Sequence, residues 1–489
     1  MTNSAYRRTS LLAILLSASV LAAPPAAANA SAQARARPEQ KLTQLIVKYH
    51  NEVTYASAAA AASGAPINAQ LQIQAQRLTR LQGLAQSYGS SLSVQRQIVT
   101  GAWVYRSAVP LTALQMRTLA RHIAAADSSI DYAEPDYIRH AMTTPADQWD
   151  IQASASQPGS INLPGATALS SGANIIVAVL DTGYRPHRSL VPNLIAAPSG
   201  SGYGYNFISD AATARLTLAP GASSVRGPDA LDQGDWVSDN SCGNSDSSWH
   251  GTHVAGTIAA LNNPAGTVGI APNAKILALR VLGKCGGTDS DIADAVAWAA
   301  GIHVAGVPDN TNKANVINLS LGGTGICSKT AAAVFQSAMA AGTVVVVAAG
   351  NESRDAKLSA PANCPGVIAV ASNAITGGRA SYSNYGGTVA VTAPGGGFTN
   401  AADVIYSTLP SGKTLSTDDQ TYGSMAGTSQ ATPHVAAVVA LMLAVNPKLN
   451  PAQIKAMLIK TARNAPSNCP GCGAGLVDAS AAVKAAAGQ

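Results

Sequence analysis

Charge is scarce in this chain: Asp, Glu, Lys and Arg make up 11% of its 489 residues. Aromatic residues are scarcer still, at 4%, against 47% hydrophobic residues. A chain disordered throughout needs the opposite balance, with little hydrophobic content and high net charge. A sheet filled with aromatic pairs is equally excluded, and an Ala/Val/Gly-rich α/β core is favoured. Gly and Pro, 44 and 26 residues, stay near the usual background and rule out a fibrous chain. No cysteine precedes residue 240. After residue 23 no apolar stretch is both long enough and free enough of Gly and polar residues to span a bilayer. The length suggests about three domains of roughly 150 residues, although one large α/β unit could absorb most of it.

The formal charge of +6 points to nucleic acid only until it is located. Residues 1–140 hold 13 Lys and Arg against 6 Asp and Glu, which leaves 18 basic and 19 acidic residues for 141–489. The larger region has no basic stripe to follow phosphates, so no nucleic-acid partner is expected.

What is present begins with an export leader over 1–30. Arg7 and Arg8 precede a short apolar run, Leu11 to Ala23, and Ala28-Asn29-Ala30 is a small-x-small cleavage site. The mature protein is expected to be secreted, without a membrane anchor. Residues 31–140 form a separate unit. Strand-like stretches at Leu45-Ile46-Val47, Ser91 to Tyr105 (broken at Gly101) and Ile130 to Ile138 alternate with helix-period stretches at Ala69 to Tyr88 and Leu111 to Ala125. The order β-α-β-β-α-β is that of a small ferredoxin-like α+β sandwich. From about residue 150, continuous apolar runs such as Ile175 to Leu180, Ile276 to Val281, Val316 to Leu321, Val344 to Ala349, Val367 to Ala371 and Val389 to Val391 read as parallel strands buried on both faces. Helical patterns lie between them, and the whole reads as α/β with a doubly wound, mostly parallel sheet. A Gly/Ser/Asp-rich insert at about 199–248 reads mainly as loop.

Such sheets carry their sites at the carboxyl ends of strands. Three of those ends are chemically loaded: Asp181 in Asp181-Thr182-Gly183, His250 opening His250-Gly251-Thr252-His253, and Ser429 in Gly427-Thr428-Ser429-Gln430-Ala431. A serine hydroxyl needs a base to take its proton, and a carboxylate to hold that base in one tautomer. Competing readings fare worse. A lone Asp-Thr-Gly lacks the second carboxylate of an aspartic protease. Gly427-Thr428-Ser429-Gln430-Ala431 lacks the second Gly of the lipase elbow. His253 and His434 read as structural residues along helices, and Pro433 reads as lying in the first turn of its helix, where a missing N–H is tolerated.

The order Asp, His, Ser with these three motifs resembles the subtilisin-like (subtilase) serine endopeptidases, in the branch of secreted bacterial proteases with disulfides. The resemblance covers about residues 150–489. It implies Asp181, His250 and Ser429 as the triad. Asn351 in Ala348-Ala349-Gly350-Asn351 would be the side-chain donor to the oxyanion, with the Ser429 N–H as second donor. Ser320, Leu321 and Gly322 would pair with the substrate backbone, and Gly286-Gly287 would form the facing strand. Glu352 and Ser359 hint at a roomy pocket for the substrate side chain.

The resemblance also makes residues 31–140 a propeptide that assists folding and occludes the cleft, cut between about Ile138 and Pro145. The catalytic domain then runs over 141–489, with no further module after Gly473 to Asp478 and a monomer expected. Six cysteines in an exported chain mean disulfides and allow 15 pairings. The resemblance favours Cys242–Cys285, Cys327–Cys364 and Cys469–Cys472. Cys469-Pro470-Gly471-Cys472 could alone be a redox or half-zinc motif, but it has no second Cys-x-x-Cys.

No cofactor is expected for the chemistry, and a structural Ca²⁺ is possible. The family's calcium loop corresponds to Leu261 to Thr267, with the Asn263 side chain and the carbonyls of Leu261, Ala265 and Thr267 as ligands. The carboxylate that usually joins them is replaced by His187-Arg188-Ser189-Leu190. Asp229, Asp232 and Asp235 form a second candidate, with a solvated acidic loop as the plain alternative.

The resulting expectation is a secreted endopeptidase made as a self-processing zymogen. The alternatives are a catalytically silent binding protein on the same fold, which loss of a triad member would signal, and a narrow processing protease.

Overall fold

The computed structural model describes residues 41–50, 67–139, 148–198, 200–261, 267–397 and 402–489. The leader over 1–30, the stretch 140–147 within the expected cleavage region, and Asn263 and Ala265 of the expected calcium loop lie outside the described residues.

The N-terminal unit has the expected element order. Its strands are β1 (Lys41–Tyr49), β2 (Leu92–Gln97), β3 (Trp103–Thr112) and β4 (Ile130–Pro135), with helices Ile67–Gln86 and Ala113–Ala126 between them. They form one antiparallel sheet in the order β2-β3-β1-β4. Leu45 and Val47 of β1 alternate inward and meet Leu81, Leu119 and Ile123 of the helices. The second helix is started by a capping box. The Thr112 hydroxyl accepts from the Gln115 N–H, and the Gln115 side chain accepts from the Thr112 N–H. After β4 the chain adds β5 (Ile138–Arg139).

The larger unit is built on eight strands: β6 (Ile176–Asp181), β7 (Tyr205–Asn206), β8 (Gly227–Pro228), β9 (Lys275–Arg280), β11 (Val316–Leu319), β13 (Val344–Ala348), β15 (Ile368–Asn373) and β16 (Val391–Pro394). Their order is β16-β15-β13-β11-β6-β9-β7-β8, with only the β7–β8 pair antiparallel. Continuous apolar runs suit this sheet because both faces are covered. Val177 and Val179 of β6 belong to one core, while Ala178 and Leu180 belong to the other. β13 divides the same way, Val344 and Val346 against Val345 and Val347. Each fully buried Val or Leu contributes roughly 1.5–3 kcal/mol. Smaller pairs complete the scaffold: β10 (Gly287–Thr288) with β5, β12 (Gly323–Thr324) with β14 (Ser359–Ala360), and β17 (Ile405–Thr408) with β18 (Tyr422–Met425). The insert is mainly loop, as expected, apart from β7, β8 and one short helix at Ala211–Ala214.

Helix Thr428–Val445 is apolar all round and long enough to cross a membrane by length and composition, but 89% of it is buried inside the protein. It is the central core helix, filling the face that Val435 to Leu443 share with β6 and β13. It also corrects the placing of Pro433. The helix starts at Thr428, so Pro433 lies in its interior, beyond the first turn.

The two units interlock through the helices Asp289–Ala299 and Lys329–Ala340. Asp136 accepts from the Ser290 N–H at 3.0 Å, and Glu134 accepts from the Lys329 and Thr330 N–H groups at 3.1 and 3.2 Å. Both carboxylates thus sit at helix N-termini, where free N–H groups and the helix dipole favour an anion. Arg96 of the N-terminal unit and Arg226 of the larger one both bind the buried acids Asp291 and Asp294. All three favoured disulfides are formed: Cys242–Cys285, Cys327–Cys364 and Cys469–Cys472.

Candidate active site

Of the three residues expected at strand ends, only Asp181 closes a strand of the main sheet, whereas His250 and Ser429 open helices. Asp181 closes β6, and His250 opens helix His250–Ala259. His250 Nδ1 lies 2.8 and 2.9 Å from the two oxygens of Asp181, and both side chains are fully buried. The Thr182 N–H donates to Asp181 Oδ1 at 2.7 Å and fixes the carboxylate. The helix can approach this closely because residue 251 is glycine: a Cβ there would sit 2.2 Å from the Gly183 oxygen. Trp249, just before the helix, takes the left-handed conformation (φ +51°) and is tied by its indole N–H to the Gly412 oxygen. A carboxylate on Nδ1 leaves Nε2 as the basic nitrogen of a neutral ring.

Ser429 is the second residue of helix Thr428–Val445, so its N–H has no acceptor within the helix. Pro433, four residues on, has no N–H to give to the Ser429 carbonyl. That carbonyl instead accepts from the Ser320 hydroxyl at 2.7 Å, and the Ser429 hydroxyl donates to the Ser320 carbonyl at 3.0 Å. Ser320, just past β11, therefore holds the Ser429 turn at both ends. The hydroxyl points at Ser320 here rather than at His250.

Asn351 follows β13 through Gly350, whose φ of +103° and crowded surroundings (a Cβ would lie 2.4 Å from Asn384 Nδ2) suit only glycine. Asn351 Oδ1 accepts from the Thr428 N–H at 2.9 Å and from the Thr428 hydroxyl at 2.7 Å. A backbone N–H can only donate, so the atom facing it is the oxygen. The Nδ2 group is thereby left free of Thr428. A carboxylate-held imidazole and a serine at a helix start, whose N–H has no acceptor within the helix, suit an acyl transfer that passes through an oxyanion.

The expected substrate strands also find positions. Gly287 pairs with Arg139, and Thr288 with Ile138, in the antiparallel β10–β5 ladder. The N-terminal unit's own tail therefore occupies the edge assigned to the substrate. Gly323 and Thr324, next to Ser320-Leu321-Gly322, pair with Ala360 and Ser359. The Asn384 amide donates to both Glu352 and Ser359 at 2.7 Å and binds these two pocket residues together.

His253 and His434 have other duties: His253 Nε2 meets the Ile405 oxygen at 3.0 Å, and His434 Nε2 meets Asp150 at 3.0 Å. Burial, then the neighbouring His250, lowers His253 to about 3.

At the acidic cluster carried as a second candidate cation site, each carboxylate has a donor within the protein. Asp229 accepts from the Tyr184 hydroxyl at 2.8 Å, Asp232 from the Gly234 N–H at 2.8 Å, and Asp235 from the Ser248 N–H and hydroxyl at 2.6 and 2.8 Å. Each acid accepts from a neighbouring group, while Asp232 Oδ2 is buried with no hydrogen-bond partner. Burial, then the adjacent Asp235, pushes Asp232 up to about 7. Among the described residues no group of three His, Cys, Asp or Glu could hold a metal ion. At the 261–267 loop, the Leu261 N–H donates to the Ser189 oxygen at 2.8 Å, so the segment lacking a carboxylate does lie against it. The Thr267 hydroxyl is taken by Gln148. Of the expected ligands, only Leu261 and Thr267 are among the described residues, and they supply no charged oxygen.

Sequence reasoning missed Thr428, which aims Asn351, the Asp235–Ser248 brace before His250, and Gln430, whose amide nitrogen lies 3.4 Å from His250 Nε2. Adjacency to Ser429 is the one sequence signal Thr428 and Gln430 carried.

Residues 172–475 match the model of the subtilase family. The chain belongs to the subtilase family. An extracellular protease of Xanthomonas campestris is 45% identical over 407 residues, 81% of this chain and 66% of that protein. An extracellular basic protease of Dichelobacter nodosus is 40% identical over 333 residues, 65% of this chain and 52% of that protein. The subtilase chain thus spans about half to two thirds of the length of these relatives. Among solved structures, a Pseudoalteromonas arctica protease is 46% identical with a TM-score of 0.64, over 70% of this chain and 99% of that one. The subtilase membership implied by the motifs around Asp181, His250 and Ser429 is the one these relatives share.

Proposed function

We propose that the chain is a secreted serine endopeptidase, made as a zymogen that processes itself. The observation that carries this reading is the seating of His250 Nδ1 on both Asp181 oxygens, at the mouth of the helix bearing Ser429. His250 takes the Ser429 proton as the hydroxyl attacks the scissile carbonyl, and Asp181 stabilises the imidazolium. Asn351 Nδ2 and the Ser429 N–H bind the oxyanion. The C–N bond then breaks, His250 returns the proton to the leaving nitrogen, and water hydrolyses the acyl-enzyme by the same steps. No cofactor enters this chemistry.

The N-terminal unit is read as the propeptide, on the support of its β5–β10 pairing beside the site and its caps on two helices of the larger unit. Self-processing follows if the tail after Arg139 reaches Ser429. Secretion rests on the leader sequence and on relatives named as extracellular proteases. Broad protein substrates are favoured over a single processing target, because both flanking strands recognise backbone.

Ser429→Ala tests the reading. The variant should lose casein hydrolysis, fail to react with a serine-phosphonylating inhibitor, and accumulate uncut. Maturation of the purified variant on its own would exclude self-processing, and retained hydrolysis would exclude the serine mechanism.

A further inference from the structure

One polar side chain at the site is left over by this mechanism. Gln430 follows Ser429 directly, is fully buried, and its Oε1 has no hydrogen-bond partner. Its Nε2 faces His250 Nε2 at 3.4 Å and Met425 Sδ at 3.7 Å. With Nδ1–H held by Asp181, His250 Nε2 is an acceptor, which matches an amide nitrogen facing it and turns Oε1 the other way. A buried amide oxygen left unpaired is costly, and an apolar side chain beside Met425 would avoid that cost. Such a group at a functional site calls for the donor that arrives during function.

That donor can be identified from His250. Its Nε2 is the atom that must protonate the leaving nitrogen, so a group beside it that is not the nucleophile lies within reach of the leaving group. The leaving nitrogen of an ordinary peptide carries one N–H in the bound substrate and in the tetrahedral intermediate. When the C–N bond breaks it gains a second hydrogen from His250. We infer that Gln430 is a specificity-determining residue for the leaving group: its Oε1 accepts the N–H of the leaving amine and aligns the nitrogen lone pair towards His250. This rests on the serine peptidase reading and extends it to a preference for leaving groups that carry N–H.

The test compares the wild-type enzyme with Gln430→Met and Gln430→Leu, two apolar replacements of similar volume. Competent sites are counted in each by titration with a serine-phosphonylating reagent, so partial misfolding does not enter the rates. Three substrates share one acyl peptide: a peptide amide, an alkyl ester, and a peptide with proline at the leaving position, which has no N–H. Loss of one hydrogen bond should lower kcat/KM on the peptide amide about fivefold to tenfold. The ester and the proline substrate should stay within about twofold. An equal loss on all three substrates, or no loss on the amide, overturns the proposal. Failure of the underlying reading looks different: a wild-type enzyme that is not phosphonylated and cleaves none of the three.

Discussion

Replacing Asn351 by alanine separates two things the Asn351–Thr428 contact does. Asn351 Oδ1 takes two hydrogen bonds from Thr428, and these leave Nδ2 free for its proposed role as oxyanion donor. Asn351→Ala removes the oxyanion donor and also strands the Thr428 N–H and hydroxyl. The first effect acts only once charge develops on the carbonyl oxygen, and it should lower kcat by about 10²–10³ with KM nearly unchanged. The second acts on the folded state and should cost about 1–3 kcal/mol of stability. Thr428→Val keeps the donor but loses the hydroxyl that steers it. One ordinary hydrogen bond corresponds to about a fivefold fall in kcat. Initial-rate kinetics on a chromogenic peptide, normalised by active-site titration, give both kcat and KM, and thermal melting reports the stability change. A loss in kcat below about fivefold for Asn351→Ala would refute the oxyanion role. A rise in KM that accounts for the whole loss would instead make Asn351 a ground-state binding residue.

Three further outcomes rest on the same geometry. Burial, reinforced by the charges of Asp289 and Asp291 and opposed by hydrogen bonds from Ser290, pushes Asp136 up to about 7. If the N-terminal unit acts as the proposed prosegment, its docked form should hold a proton that the free form releases near the usual carboxylate value. Inhibition by added prosegment should weaken as pH rises from about 4 to 7, by up to about tenfold per unit, and Asp136→Asn should flatten that slope; an unchanged slope would remove Asp136 as its source. A chelator should leave hydrolysis unchanged in the first minutes, and an immediate loss restored by Zn²⁺ would overturn the serine mechanism. Replacing Cys327 and Cys364 together by alanine opens a link across 37 residues and should cost about 2–4 kcal/mol in denaturant unfolding, with an unchanged midpoint refuting it as a staple.

The sequence makes the core and the pairing of Asp181 with His250 legible for a common reason: both depend on local pattern. Runs such as Val344 to Ala348 read as strands covered on both faces; Asp181 closes such a strand, while His250 and Ser429 each open a helix. What escaped was set by contacts that spacing does not encode. Asp229, Asp232 and Asp235 have cation-like spacing, but Asp229 and Asp235 accept from the more distant Tyr184 and Ser248, and Asp232 from the nearby Gly234 N–H. Pro433 was misplaced because apolar periodicity starts at Ala431, whereas the helix begins three residues earlier, on polar side chains fixed by Asn351 and Ser320.

The acids Asp291 and Asp294 serve two masters, and if the N-terminal unit is cut away as proposed, this governs how the units behave once they part. With Arg96 and Arg226 both in place, two guanidiniums face two carboxylates. Once the N-terminal unit leaves, Arg226 remains, so neither acid is abandoned without a counter-charge. One negative charge is nonetheless in excess on the catalytic surface, and one positive charge is freed on the departing piece. Each half advertises itself to the other through solvent, over a range set by the roughly 8 Å screening length of physiological salt. Ionic strength thereby acts as a dial on recapture: dilute surroundings speed the return of the spent prosegment, and brine slows it.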